Sequence, residues 1–126
     1  MVEVLFTSGY STGTGWSAGR RSHVWRPPTD IYETESAFIV QVELAGMRRE
    51  NISIELQDRR LMITGVRPHD RSMPRSYHQI EINFGEFRVD VELPVAVAST
   101  EIQAEYEDGF LRITLPKLQP RRLEIR

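Results

Sequence analysis

Three histidines are the first residues to weigh for chemistry in this 126-residue chain: His23, His69 and His78. An imidazole beside a carboxylate can serve as acid and base, and several such groups at ligand spacing can hold a metal. None of the three stands at metal-ligand spacing from another His, Asp or Glu, and His69-Asp70 reads as a solvated pair. The chain has no cysteine, which removes disulfides, thiolate zinc sites and a cysteine nucleophile. "GTGWSAG" lacks the preceding strand and following helix that a phosphate-cradling loop needs. The acidic residues Glu101, Glu105, Glu107 and Asp108 fit the solvated face of a strand and its turn. The expectation is a protein with no catalytic residues, no cofactor and no metal.

Bulk properties narrow the partners. A formal net charge of −2 gives no electrostatic reason to expect nucleic acid, and the arginines form no continuous run with aromatic platforms. Lys117 is the only lysine, and Arg suits planar pairing and stacking at interfaces better than Lys. "MVEVLFTSGY" has no basic n-region and no apolar run of signal-peptide length. No stretch approaches the roughly 20 apolar residues of a membrane span. A cytoplasmic protein that binds neither membrane nor nucleic acid is the expectation.

The elements that would position any site are strands. "AFIVQVEL" alternates Phe38, Val40, Val42 and Leu44 with mostly polar residues. "NISIELQ", "RRLMITG" and "YHQIEINF" continue the pattern through Ile52, Ile54, Leu56, Leu61, Ile63, Ile80, Ile82 and Phe84. "FRVDVELP" is the cleanest case, with Phe87, Val89, Val91 and Leu93 on one face. "IQAEYE" and "FLRITLP" complete the set. Period 2 marks strands with one buried face. Turn signals fall between them at Ala45-Gly46, Gln57-Asp58, Gly85-Glu86 and Asp108-Gly109. Asp-Gly between alternating strands predicts a tight hairpin turn with positive φ at both positions. "RRENIS" allows one helical turn, and "PVAVAST" reads as an extended connection. Many short strands without a long helix predict an all-β, immunoglobulin-like antiparallel β-sandwich.

Three stretches lie outside that pattern. Residues 1–28 are rich in Gly, Ser and Thr with scattered aromatics, and read as a flexible N-terminal arm ending at Pro27-Pro28. Residues 65–79, "GVRPHDRSMPRSYHQ", form a polar, proline-broken loop long enough to suggest a function. After Lys117 comes a short tail, 118–126, that turns apolar again at "RRLEIR". The domain itself is expected over 29–117.

The blocks "DIYETESAFIVQVELAGMRRENISIELQDRRLMITGVR", "EINFGEFRVDVELP" and "AEYEDGFLRITLPK", in this order and spacing, resemble the α-crystallin domain of small heat-shock proteins. The resemblance covers residues 27–117. The chain departs from the family's habit at three places. Leu44-Ala45-Gly46 stands where Leu-Pro-Gly is common, and Glu81-Ile82 where Glu-Arg is common. Val89 stands where many members carry Arg; Arg88 is shifted by one and so by parity faces the other way.

What the resemblance implies is an ATP-independent holdase that binds unfolded or partly folded client proteins and prevents their aggregation. It implies self-association too: a dimer building block and a larger homo-oligomer. Leu123-Glu124-Ile125 fits the family's terminal Ile/Val-x-Ile/Val motif, and residues two apart on an extended segment project to the same side. The resemblance sends Leu123 and Ile125 into a neighbouring subunit's groove, here Ile52, Ile54 and Leu56 with Ile102 and Ala104. In the loop, Ser72, Met73, Arg75, Ser76 and Tyr77 would supply a strand added to the partner's sheet. Phe6, Trp16 and Trp25 would offer adaptable client-binding surface on the arm. The alternative reading is a monomeric co-chaperone or adaptor of related sandwich fold with one folded partner, which has no need of the loop strand or of Leu123 and Ile125. A sandwich enzyme or carbohydrate-binding module is a third reading, but the strands show no convergent polar cluster or aromatic platform for it.

Overall fold

Alternating apolar residues cannot all be buried unless each strand turns one face inward. The computed structural model, which describes the backbone of residues 4–6 together with residues 23–119 and 123–126, shows this arrangement. Eight strands form: β1 Val4–Phe6, β2 Thr29–Glu33, β3 Ala37–Glu43, β4 Ile52–Gln57, β5 Arg60–Arg67, β6 Gly85–Glu92, β7 Gln103–Glu107 and β8 Phe110–Pro116. Two four-stranded sheets result, ordered β1-β4-β5-β6 and β2-β3-β8-β7. All pairings are antiparallel except β1 with β4. Short 3-10 turns, Arg49–Asn51 and Ser99–Glu101, lead into β4 and β7. The first lies where "RRENIS" predicts one turn of helix.

The core lies between the sheets. Val40, Val42, Ile54, Leu61, Ile63, Val89, Leu111, Ile113 and Leu115 are fully buried, joined by Phe87, Leu44 and Leu93. Each such side chain contributes about 1.5–3 kcal/mol of transfer free energy relative to exposure. No polar side chain is buried among the described residues, so the core carries no desolvated charge. Cross-strand register matches the sequence pattern: Phe38 faces Leu115, Val40 faces Ile113, and Ile63 faces Val89.

Turn chemistry follows the sequence closely. Asp108 and Gly109 have φ of 52° and 82°, the positive pair that an Asp-Gly hairpin requires. The Gly109 carbonyl accepts from Leu44 N at 2.7 Å, which brings the last hairpin against the end of β3. The Tyr106 hydroxyl donates to Leu44 O (2.7 Å) and accepts from Met47 N (3.2 Å), tying β7 to the same corner. Lys117 reaches Thr34 O at 2.9 Å and Glu33 Oε1 at 3.3 Å, and so fastens the end of β8 to the β2–β3 hairpin.

Three features differ from the sequence expectation. Trp25, expected on an exposed arm, is 6% exposed. Its backbone pairs with β6 (Trp25 N to Glu86 O, 3.1 Å; Arg88 N to Trp25 O, 3.0 Å) and its indole packs 5.8 Å from the Phe87 ring. The large ring packs against Phe87 and joins the core. Val4–Phe6, also in the expected arm, forms a strand. The alternation at Ile80, Ile82 and Phe84 does not give a strand: residues 68–84 are irregular. These residues have no core layer to face, and Trp25 already takes the start of β6's outer edge.

Candidate interaction surfaces

Trp25 marks the layout. It lies four residues before β2 and pairs with β6, so β2 and β6 border one side of the sandwich. The edge of β4 and strand β7 therefore border the other. The first side carries the open edge of β2; on the second, β7 has an open edge while β4 is covered by β1.

On the first side, β2 pairs only with β3, and its outer edge is open. Its side chains are exposed on both faces, Ile31 and Tyr32 among them. An edge strand with apolar residues and no cover is a template for another strand. The loop 68–84 runs out from the same side. Ser72, Met73, Arg75, Ser76 and Tyr77 are all exposed on it and have no strand partner. Ile80 and Ile82 are 66% and 65% exposed.

The root of that loop is held by a side chain the sequence reading passed over. The Arg67 guanidinium lies 4.3 Å from the centroid of a Trp25 ring and 5.5 Å from that of Phe84. It donates from Nε to Asn83 O at 2.8 Å, from Nη2 to the same oxygen, and from Nη1 to Ala45 O at 3.3 Å. Partial burial lowers the Arg67 pKa, which the cationic stacking and carbonyl acceptors accommodate without loss of charge. Phe84 stacks in turn on His69 at 4.5 Å, and His69 Nε2 hydrogen-bonds the Tyr77 hydroxyl at 2.9 Å. The histidine with the most promising neighbour in the sequence is thus a link in an aromatic stack. Asp70 Oδ1 accepts from Ser72 N at 2.9 Å, and hydrogen bonding by Ser72, its side chain first and its backbone next, holds the carboxyl below the usual carboxylate range. One signal for Arg67 was legible: it shares β5's inward parity with Leu61, Ile63 and Gly65, and a charge there needs partners.

Across the outer face of β5 and β6, Arg88 Nε donates to Asp90 Oδ2 at 2.8 Å, and Arg60 lies 3.5 Å from Oδ1. The Arg88 hydrogen bond holds the Asp90 carboxyl below the usual carboxylate range and raises the arginine. Val89 is fully buried and Arg88 exposed, as strand parity requires. Among the described residues no three His, Asp or Glu side chains come together as a metal site would need.

On the second side, Ile52, Ile54, Leu56 and Ala104 are buried, with Ile102 partly buried against them. The structure brings these five together in one core cluster, at the β4 and β7 borders. Leu123 and Ile125 are 79% and 99% exposed and stand apart from that cluster in the same chain. Trp16 lies outside the described residues. Phe6 is described only as backbone, in β1.

The finished sandwich thus leaves the outer edges of β2 and β7 open, with exposed apolar residues in the loop 68–84 and at Leu123 and Ile125. The chain matches the Hsp20/alpha crystallin family over residues 30–126 and belongs to it. It is 33% identical over 104 residues to small heat shock protein C2 of Rickettsia felis, covering 79% of this chain and 68% of that protein. It is 34% identical over 92 residues to small heat shock protein C4 of the same organism, covering 72% of this chain and 56% of that protein. Among solved structures, a small heat-shock protein from Xylella fastidiosa, described as having a distinct high order structure, superposes with a TM-score of 0.69. It is 28% identical, with 82% of this chain and 99% of that one covered. Members of this family are chaperones that work without ATP, not enzymes. No helix among the described residues is long and apolar enough to cross a membrane.

Proposed function

We propose that this chain is a holdase: it covers apolar surface on unfolded or partly folded client proteins and keeps them from meeting one another. The observation that supports it most directly is the division between a sealed core and the exposed apolar residues outside it. Met73, Tyr77, Ile80, Ile82, Leu123 and Ile125 all lie on irregular or extended segments, none on a folded face of the sandwich. Exposed apolar groups on adaptable segments bind many partners with little sequence demand. Binding removes client from the aggregating pool by mass action, with no reaction catalysed.

Assembly belongs to the same reading. The segment Ser72–Tyr77 adds a strand to the open β2 edge of a second copy, beside Ile31 and Tyr32. Leu123 and Ile125 of a neighbouring subunit dock where β4 and β7 border the core. Phe6 and Trp16 contribute to client binding from the N-terminal arm, whereas Trp25 is already committed to the sandwich. The domain spans 29–117, the docking tail 118–126, and the working compartment is the cytoplasm.

The test is light scattering from a heat-labile client, warmed with and without the chain and with no nucleotide. Suppression of scattering near equimolar chain supports the holdase. Unchanged scattering from a chain that stays folded overturns it.

A further inference from the structure

Strand β2 offers an open edge, yet the core holds little of it. Asp30, Ile31, Tyr32 and Glu33 are all exposed, and the strand pairs on one side only, with β3. A strand held by one ladder and few buried side chains frays at a free-energy cost well below that of unfolding the domain. Its far end needs another tie.

Lys117 supplies one. Its ammonium donates to Thr34 O at 2.9 Å, lies 3.3 Å from Glu33 Oε1 and sits 5.3 Å from the centroid of the Phe38 ring. Its backbone amide donates to Ser36 O at 2.9 Å. Side chain and backbone thus grip both halves of the turn that follows β2. Within itself that turn is closed by Thr34 N donating to Ala37 O at 2.8 Å and Ala37 N donating to Thr34 Oγ1 at 3.0 Å. Lys117 is itself well anchored. It follows β8 directly and pairs with Val97 through a single antiparallel bridge, beside the bond from Ala98 N to Pro116 O at 2.8 Å.

We infer that Lys117 is a positioning residue for self-assembly: by pinning Glu33 and Thr34 it keeps β2 set as the edge that a second copy's strand pairs with. This rests on the proposed strand addition at β2. An added strand needs consecutive N–H and C=O groups already in line, so a fraying edge binds in proportion to the fraction that is set. Removing the ammonium takes away a charge-assisted hydrogen bond and an ion pair at once. If the set fraction falls to about one-fifth, association weakens about fivefold. The fold as a whole loses far less, because the Lys117 side chain lies outside the core cluster.

Lys117→Met removes the charge and keeps an apolar stem over Phe38. Sedimentation of the full chain across a dilution series is expected to show self-association weakened about fivefold. The thermal midpoint stays nearly unchanged, and amide hydrogen exchange speeds up over residues 30–36. Lys117→Arg, which keeps a charged donor, retains association. A second route avoids refolding a variant without the charge, because Lys117 is the only lysine. An acetylating reagent applied to the folded chain reaches Lys117 and the N-terminal amine, and in the Lys117→Arg chain the N-terminal amine alone. Weakening confined to the chain that carries Lys117 supports the inference. If the unaltered chain assembles and both the Lys117→Met and the acetylated chains assemble equally well, the positioning role is overturned and strand addition at β2 stands. Equal weakening in Lys117→Arg and Lys117→Met overturns it as well, since the charge is then not what matters. An unaltered chain that stays monomeric overturns strand addition, and the role of Lys117 with it.

Discussion

Gly65 shows how one residue can fix a sandwich border. Its backbone is not in the left-handed region; its requirement is space. A Cβ built there would lie 2.6 Å from the Phe87 ring and closer still to the Asn51 carbonyl oxygen. Neither neighbour can give way, since Phe87 is 2% exposed and Asn51 belongs to the backbone turn entering β4. Gly65→Ala is expected to cost about 1–3 kcal/mol of stability, the usual penalty for overpacking. Thermal or urea unfolding of the two chains checks it, and an unchanged midpoint would mean that β4 and β5 tolerate separation here. By contrast the Arg88–Asp90 pair is solvent-exposed, and such pairs contribute about 1 kcal/mol or less.

At the scale of elements, most strands were legible because burial on one face imposes period 2, and Asp108-Gly109 fixed its turn by backbone conformation alone. The proposed docking motif Leu123-x-Ile125 could be picked out because it is written in consecutive residues. Trp25 and Arg67 were hidden because their partners are remote: the Trp25 ring meets Phe87, and Arg67 reaches Asn83 and Ala45. Periodicity does not encode such contacts. Ile80, Ile82 and Phe84 misled for a different reason, since alternation describes a strand's faces but not whether a neighbour exists to pair with it. If the loop 68–84 finds that neighbour on another subunit's β2, a charge on the open edge should prevent it. Ile31→Asp is half-exposed and leaves the core untouched, so the fold should survive while self-association weakens by about tenfold or more, as expected for a desolvated charge at an interface. Sedimentation across a dilution series checks this, and an unaltered dissociation curve would place the contact elsewhere.

The whole molecule is a core that is closed and a periphery that is not. The sandwich has no buried polar group to explain and no described metal cluster to hold it together. Its open edges at β2 and β7 border opposite sides of the sandwich, which suits growth of an assembly in more than one direction. One side offers β2 and the loop; the other offers the open edge of β7, with β4 covered by β1. A chain that fills both sides with copies of itself keeps its apolar segments from water until a client competes for them. The native mass of the full chain at micromolar concentration, measured by sedimentation or by light scattering after gel filtration, tests this most directly. Assembly through both sides requires a mass well above that of a dimer, falling toward the dimer when residues 123–126 are removed. A folded monomer of 14.6 kDa, unchanged by that truncation, would contradict it and favour an adaptor with a single folded partner.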